Sequence, residues 1–359
     1  MTTGRTQDRI VACVESPAQL LNVIEWAYAV QRVLPGRPIG AGMLIMVLPP
    51  PEPAARVQLH AVADLASECG FAVTWHEVRG GRSIALRSAR EIRSRVTRAD
   101  TVIIGDPFSR FLQLIIGFTR NQRLVVVDDG SATLAFVDLM TDGRRLVRWH
   151  HEDDHSAIAG AVADRARRRL AGGRRRGHVR QPATVFTAMP IRSAALPVVP
   201  NRLGWARRRF TAPRLIPGTD LVGTSLSDTG VIDEDAYLGV VKALADREGV
   251  GRYLAHRKES NRKLAKINDL GLTVLRPDYP LELFARIGPL GERVISFPST
   301  VVHTLPLALA DTRVEVSVCD LDQHWFSPGR RSGRSRTFLT SVTDSARRTH
   351  GLNLVAGPA

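Results

Sequence analysis

Residues 9–34 read RIVACVESPAQLLNVIEWAYAVQRVL. A short β-branched apolar run, RIVACVE (9–15), passes without a linker into an amphipathic segment. Ser16 stands where an N-cap belongs, Pro17 suits a first helical turn, and Gln19 sits where a capping-box partner reaches back. Leu20, Ile24, Ala27 and Gln31 recur on one helical face, which Leu21, Val23 and Val30 widen. Strand, tight turn and helix is the building unit of a parallel α/β sheet.

The unit recurs along the first half of the chain. AGMLIMVLPP (41–50) reads as a buried strand stopped by prolines, and VQLHAVADLASECG (57–70) as a helix ended by Gly70. FAVTWHEV (71–78), TVIIGD (101–106) and RLVVVDD (123–129) are further strands, separated by helices over 83–99 and 108–120. Strands apolar on both faces and alternating with helices predict a parallel sheet covered on both sides. Regularity fades over 150–213 and returns after it. LVGTSL, RYLAHR (252–257), LTVLRP, ERVISFPST (292–300) and VEVSVCDL (314–321) alternate with helical patterns over 233–249, 259–271 and 281–288, and VEVSVCDL reads as the strand that closes the sheet.

The expected architecture is therefore α/β, with two doubly wound, Rossmann-like parallel-sheet domains facing across a cleft. The expected boundaries are an N-terminal domain over 1–150, an Arg-rich linker or insertion over 151–213, a C-terminal domain over 214–328, and a basic tail over 329–359 that could return to the N-terminal domain.

Length, at 359 residues, agrees with two domains, and 44% hydrophobic content with a mean hydropathy of -0.07 fits a soluble globular chain. No stretch approaches the ~20 apolar residues of a spanning helix, and MTTGRTQDRIVACVE lacks the apolar core of a signal peptide, so a cytoplasmic location is expected. The three cysteines, Cys13, Cys69 and Cys319, are far apart and suggest neither a disulfide framework nor a zinc site. The net charge of +15 is almost all arginine, since only Lys242, Lys258, Lys263 and Lys266 are lysine. It concentrates in RARRRLAGGRRRG (165–177), ARRR (206–209) and GRRSGRSR (329–336), read as solvated linker and tail or as a polyanion-binding surface. No zinc-finger spacing, RNA-binding aromatic signature or evident helix-turn-helix supports a specific nucleic-acid partner.

In open parallel sheets ligands bind outside the carboxyl ends of the strands. The residues there are polar: Glu15-Ser16-Pro17, Gly105-Asp106, Asp128-Asp129-Gly130-Ser131, Gly223-Thr224-Ser225, His256-Arg257 and Ser299-Thr300. A carboxylate at 128 or 129 is either a general base or a cap for the next segment. His256, followed by Arg257, Lys258 and a helix start, is either a surface residue or part of an anion site. Ser299 and Thr300 precede VVHTLPLAL as an N-cap or a phosphate cradle. The absence of a Walker loop and of GxGxxG argues against an NTPase or a nicotinamide enzyme.

Taken in order, VVVDDGSATL, YLAHRKES and SFPSTVVHTLPLAL, with CVESPAQLLNVIEWA and IIGDPFS, resemble the bacterial sialyltransferases and polysialyltransferases of GT-B type. Those families carry an acid-acid-Gly motif, a His-Pro motif and a Ser-Ser or Ser-Thr motif. The resemblance spans residues 9–310 in fragments, and the His-Pro motif stands here as His256-Arg257.

It implies an inverting glycosyltransferase of polysaccharide biosynthesis that moves sialic acid or a related acidic sugar from a CMP-sugar to a glycan or glycolipid hydroxyl. No metal or other cofactor would be obligatory, and the chain could rest on an anionic membrane at its inner face. Asp129, or alternatively Asp128, would be the base. His256 would serve the leaving phosphate, with Arg257, Ser299 and Thr300 binding it, while Ser16, Asp106, Gly130, Thr224 and Ser225 would line the cleft. The alternatives are a non-catalytic nucleotide- or polyanion-binding α/β protein and a GT-B enzyme using a UDP-sugar.

Overall fold

The computed structural model describes residues 10–30, 38–79, 81–147, 157–175, 178–327 and 330–357. Gln31, the N-terminal residues 1–9, Arg176 and Gly329 lie outside the described residues. The chain forms two compact units, Met1–Pro51 with Leu59–Asn201, and Glu52–Gln58 with Arg202–Ala359.

In the first unit the opening stretch folds into β1 (Ile10–Val14) and α1 (Pro17–Val30). Ser16 Oγ accepts the Gln19 N–H at 3.2 Å, and Gln19 Oε1 accepts the Glu15 N–H at 2.7 Å, one residue before the expected capping-box target. Then follow β2 (Met43–Val47), α2 (Pro53–Glu68), β3 (Ala72–Trp75), α3 (Arg82–Arg98), β4 (Thr101–Ile104), α4 (Arg110–Phe118), β5 (Arg123–Val127) and α5 (Ser131–Thr141). The sheet runs β3-β2-β1-β4-β5 and is parallel throughout. All of β2 and β4 is buried, as the unbroken apolar runs MLIMV and TVII require when helices cover both faces. Val11, Cys13, Met46, Ile104 and Val126 form the centre of one core layer with Ile92, Leu112 and Phe136 from the covering helices.

Most of the segment expected as an Arg-rich linker or insertion over 151–213, as far as Asn201, belongs to this unit, and Arg202 onward to the second. After α6 (Ala157–Leu170) and a small antiparallel hairpin of β6 (Gly173–Arg175) and β7 (His178–Arg180), β8 (Thr184–Thr187) pairs with β5 and β9 (Val198–Pro200) with β8. Strands of three and four residues between prolines carry too little periodicity to be seen in sequence. They are held because Val185 and Phe186 are fully buried and the Leu170 carbonyl accepts the Ala183 N–H.

The second unit contains α7 (Gly204–Arg209), β10 (Leu215–Val222), α8 (Glu234–Glu248), β11 (Val250–Leu254), α9 (Asn261–Asp269), β12 (Thr273–Leu275), α10 (Leu281–Ile287), β13 (Leu290–Ser296), α11 (Val301–Ala308), β14 (Glu315–Cys319), α12 (Arg330–His350) and β15 (Asn353–Val355). Its parallel sheet has the order β12-β11-β10-β13-β14-β15. Asp220 of β10 ties three strands, accepting a fork from Arg252 of β11 (2.7 and 2.5 Å) and the Gly291 N–H of β13 at 2.8 Å. Two expectations are corrected here. VEVSVC does not close the sheet, and residues 330–355, expected as a basic tail, are built into the second unit. Leu339, Val342 and Ala346 bury one face of α12, which delivers β15 to the open edge of β14.

Candidate active site

Both sheets reverse their strand order at one point, between β1 and β4 in the first unit and between β10 and β13 in the second. Crevices outside the strand ends at such points are where open α/β sheets hold ligands. In the first unit the polar residues gather there. Glu15 and Ser16 follow β1, Gly105 and Asp106 follow β4, and Asp128, Asp129 and Gly130 follow the neighbouring β5.

The two adjacent acids have different surroundings. Asp128 is 3% exposed and all its acceptor capacity is used. Oδ1 accepts the Gly130 N–H at 3.0 Å and the Thr133 hydroxyl at 2.7 Å, and Oδ2 accepts the Thr187 hydroxyl at 2.8 Å and the Ala188 N–H at 3.2 Å. Burial pushes its carboxyl above the ordinary range while these four donors pull it back. Asp128 is thus the clamp that joins β5, α5 and the end of β8. Gly130 must turn with φ +70 to let this clamp close, a conformation that suits glycine.

Asp129 is half-buried beside the start of α5. It accepts the Ser16 hydroxyl at 3.3 Å across from β1, and its own N–H goes to Thr133 Oγ1. Asn22 of α1 secures the same loop by donating to the Asp128 carbonyl at 3.0 Å, and Asn201 in turn donates to Asn22. A carboxylate at a helix N-terminus is electrostatically favoured. Asp106 is turned back into its own loop, accepting the Phe108 N–H at 2.8 Å.

Glu15 adds a further carboxylate to the crevice. Burial and the nearby Asp106 charge raise its pKa, while hydrogen bonds from Ser109 and the Arg79 guanidinium at 3.0 Å lower it. Gly105 has no room for a side chain, because a Cβ would meet the Gln19 amide that secures the β1 turn.

In the second unit, β10 lies between β11 and β13, so the ends carrying His256-Arg257, Thr224-Ser225 and Ser299-Thr300 are neighbours on one edge. At a strand spacing of ~4.8 Å the outer two loops are about 10 Å apart. His256 Nδ1 accepts the Lys258 N–H at 3.2 Å. The neutral ring therefore carries its proton on Nε2 and presents it as a donor. Desolvation, followed by the Arg257, Lys258 and Lys263 charges, brings the His256 pKa to about 3. Among the described residues Arg257 makes no ion pair.

Ser299 Oγ accepts the Val301 N–H at 3.3 Å and so acts as a cap for α11, whereas the Thr300 side chain makes no cap bond. Thr224 is buried and Ser225 half-buried at the middle strand end.

Beneath His256 lies a buried polar cluster that the sequence did not announce. Lys263 is fully buried on α9, and its ammonium donates to the Thr224 carbonyl (2.7 Å) and Asp228 (3.1 Å) and pairs with Glu259 (2.8 Å). Glu259 also accepts the Tyr253 hydroxyl and the His256 N–H, both at 2.5 Å. Tyr253 and Tyr237 share a 2.6 Å hydroxyl contact, and the Lys263 ammonium stands 4.1 Å over the Tyr237 ring.

One lysine thus links the β10 end, the His256 loop and α9. Gly223 is required at its centre, since a Cβ would collide with Tyr253 and Glu259. The signal available in sequence was small: Lys263 shares the buried face of α9 with Leu264 and Ile267, but Glu259 and Lys263 read as an ordinary exposed i,i+4 pair. Among the described residues no group of three His, Cys, Asp or Glu side chains is arranged to hold a metal ion, and no helix is long and apolar enough to cross a membrane.

The sequence matches no protein-family profile and no curated protein. The chain is similar in architecture to a Listeria monocytogenes protein provisionally described as a UDP-N-acetylglucosamine 2-epimerase, with a TM-score of 0.53 at 11% identity over 97% of this chain and 91% of that one. It is also similar to the α/β-galactoside α-2,3-sialyltransferase of the luminous marine bacterium Photobacterium phosphoreum (TM-score 0.48, 11% identity, 96% and 98% covered). Anabaena HepE in complex with UDP-glucose follows at TM-score 0.47 and 10% identity, with 95% of each chain covered. At such identities the likeness is one of fold, and that fold is GT-B. The chain is an α/β protein of two parallel-sheet units with a GT-B-type fold.

Proposed function

We propose that this protein is an inverting glycosyltransferase that moves sialic acid or a related acidic sugar from a CMP-sugar to the hydroxyl of a glycan or glycolipid. The observation that carries the reading is the division of labour in the DDG turn. Asp128 spends every acceptor site on the fold, which leaves Asp129, of the two aspartates, as the half-buried carboxylate beside the crevice. The CMP donor rests on the resemblance of the three motifs to sialyltransferases.

Asp129 takes the proton of the acceptor hydroxyl as that oxygen bonds to the anomeric carbon of the donor. The bond from that carbon to the phosphate oxygen breaks in the same displacement, inverting the carbon, and CMP departs with the electron pair. Negative charge grows on the phosphate, so donors fixed around it lower the barrier. His256 offers its Nε2–H, Arg257 its guanidinium and Thr300 its hydroxyl, while Ser299 holds the start of α11. With a pKa near 3 the free imidazole is neutral at pH 7 and acts as a hydrogen-bond donor; a bound phosphate dianion would raise that pKa and favour the imidazolium. The reaction needs no obligatory metal, and membrane contact would bring a lipid-borne acceptor within reach.

The test is CMP release from CMP-Neu5Ac and CMP-Kdo with candidate acceptors, compared between the natural chain and Asp129→Ala. Loss of release in a folded variant supports the base assignment, and unchanged turnover overturns it. A thermal-shift series with CMP, UDP and GDP reads the donor separately, because a true ligand raises apparent stability. A shift with UDP alone would move the reading to a UDP-sugar enzyme. No shift with any nucleotide, together with salt-sensitive polyanion binding, would favour a non-catalytic binder.

A further inference from the structure

Among the described residues, five of the eleven large apolar side chains left exposed are Ile84, Leu86, Leu114, Phe118 and Ile158, and all five lie on α3, α4 and α6. These helices pack side by side, α4 against both others. Leu86, Leu114 and Ile158 are 53%, 48% and 79% exposed.

The same helices concentrate positive charge. Six arginines face one glutamate along α3, and Arg165 and Arg168 of α6 are exposed. The two kinds of side chain interleave. The Arg93 guanidinium lies 4.6 Å over the Phe118 ring, and Arg110, Leu114 and Phe118 follow one another at i+4 spacing along the exposed side of α4.

A partner for this surface must satisfy both arginine and aliphatic side chains. Nucleic acid would pair with the arginines, yet bases stack on aromatic rings, and four of the five apolar side chains are aliphatic. A second copy of the chain would bring arginine against arginine. An anionic bilayer meets both needs, with phosphates at the guanidinium level and the acyl boundary just beneath. We propose that the exposed face of α3, α4 and α6 is a docking surface for anionic phospholipid membrane. The inference stands on surface chemistry alone and does not depend on the transferase reading.

The test is flotation of the full chain with vesicles of equimolar phosphatidylglycerol and phosphatidylcholine, against pure phosphatidylcholine, in the absence of any sugar donor. Binding is expected to the anionic vesicles only. Arg87→Gln, Arg90→Gln and Arg93→Gln combined should weaken it about a hundredfold, at about fivefold per arginine. Leu86→Ser with Leu114→Ser should weaken it at least about tenfold, because apolar burial in the interface is lost. All five positions are exposed, so the melting temperature should not move. Failure of the natural chain to float with anionic vesicles overturns the proposal. So does binding of vesicles, heparin and RNA that falls with the arginine substitutions and ignores the leucine ones, which would mark a plain polyanion surface.

Discussion

Lys263→Met removes the charge at the centre of the cluster beneath His256 while keeping the length and apolar stem of the side chain. The lysine and Glu259 side chains are both fully buried at 2.8 Å, so the substitution strands a carboxylate whose remaining donors are Tyr253 and the His256 N–H. Breaking a buried pair on one side costs about 3–5 kcal/mol. Glu259→Gln leaves the ammonium with Thr224 and Asp228 and should cost less, about 1–3 kcal/mol. The double variant removes both charges and should be less destabilised than the sum of the singles by about 1–3 kcal/mol.

Because two units need not unfold together, the suitable assay is hydrogen exchange of peptides spanning 250–267, read as local opening free energy. The pH dependence has a fixed sign. Glu259 is already raised by burial, and loss of Lys263 raises it further, so the variant's deficit is full above that raised pKa and shrinks as pH falls from it towards the ordinary value of 4.5. A cost below about 1 kcal/mol for Lys263→Met, or strict additivity in the double variant, would refute the idea that this pair holds the loop.

Asp128→Asn must turn its new amide donor against either Gly130 and Thr133 or Thr187 and Ala188, and should destabilise the first unit by about 1–3 kcal/mol in urea titrations. Asp129→Asn, half-buried, should stay within about 0.5 kcal/mol of the natural chain, and equal losses at both positions would contradict the assigned difference. His303 is fully buried on α11 against His350 of α12, and desolvation followed by the His350 charge lowers its pKa to about 4. Its stabilisation is complete above pH 6.5 and is lost as pH falls through 4, by at most about 3 kcal/mol, so His303→Phe should flatten the acid limb of the stability profile. Burial pushes the Cys13 and Cys319 thiols up to about 12, and a thiol reagent should therefore label Cys69 alone in the native protein and all three cysteines in denaturant.

Much of the architecture was legible in the chain itself. Runs such as MLIMV and TVII, set between helical periods, carry the signature of strands buried on both faces, and the strand-end polar residues follow directly from the ends of those runs. Chain order alone could name Asp128, Asp129, His256, Ser299 and Thr300 as candidates, because a parallel sheet puts all its carboxyl ends on one edge. Local pattern could not reveal β8, β9 and β15, which are strands only because an open sheet edge was there to receive them.

Nor could it divide the work between two adjacent aspartates. The clamp on Asp128 comes from Thr187 and Ala188, some sixty residues downstream, and the contact to Asp129 comes from Ser16, more than a hundred upstream. Lys263 shows the same limit, since helical spacing gives Glu259 and Lys263 the look of a surface pair until Tyr237, Tyr253 and Thr224 close over them. Periodicity reports which face of an element is buried. Which polar groups are buried together depends on contacts between distant segments, and only the folded chain supplies them.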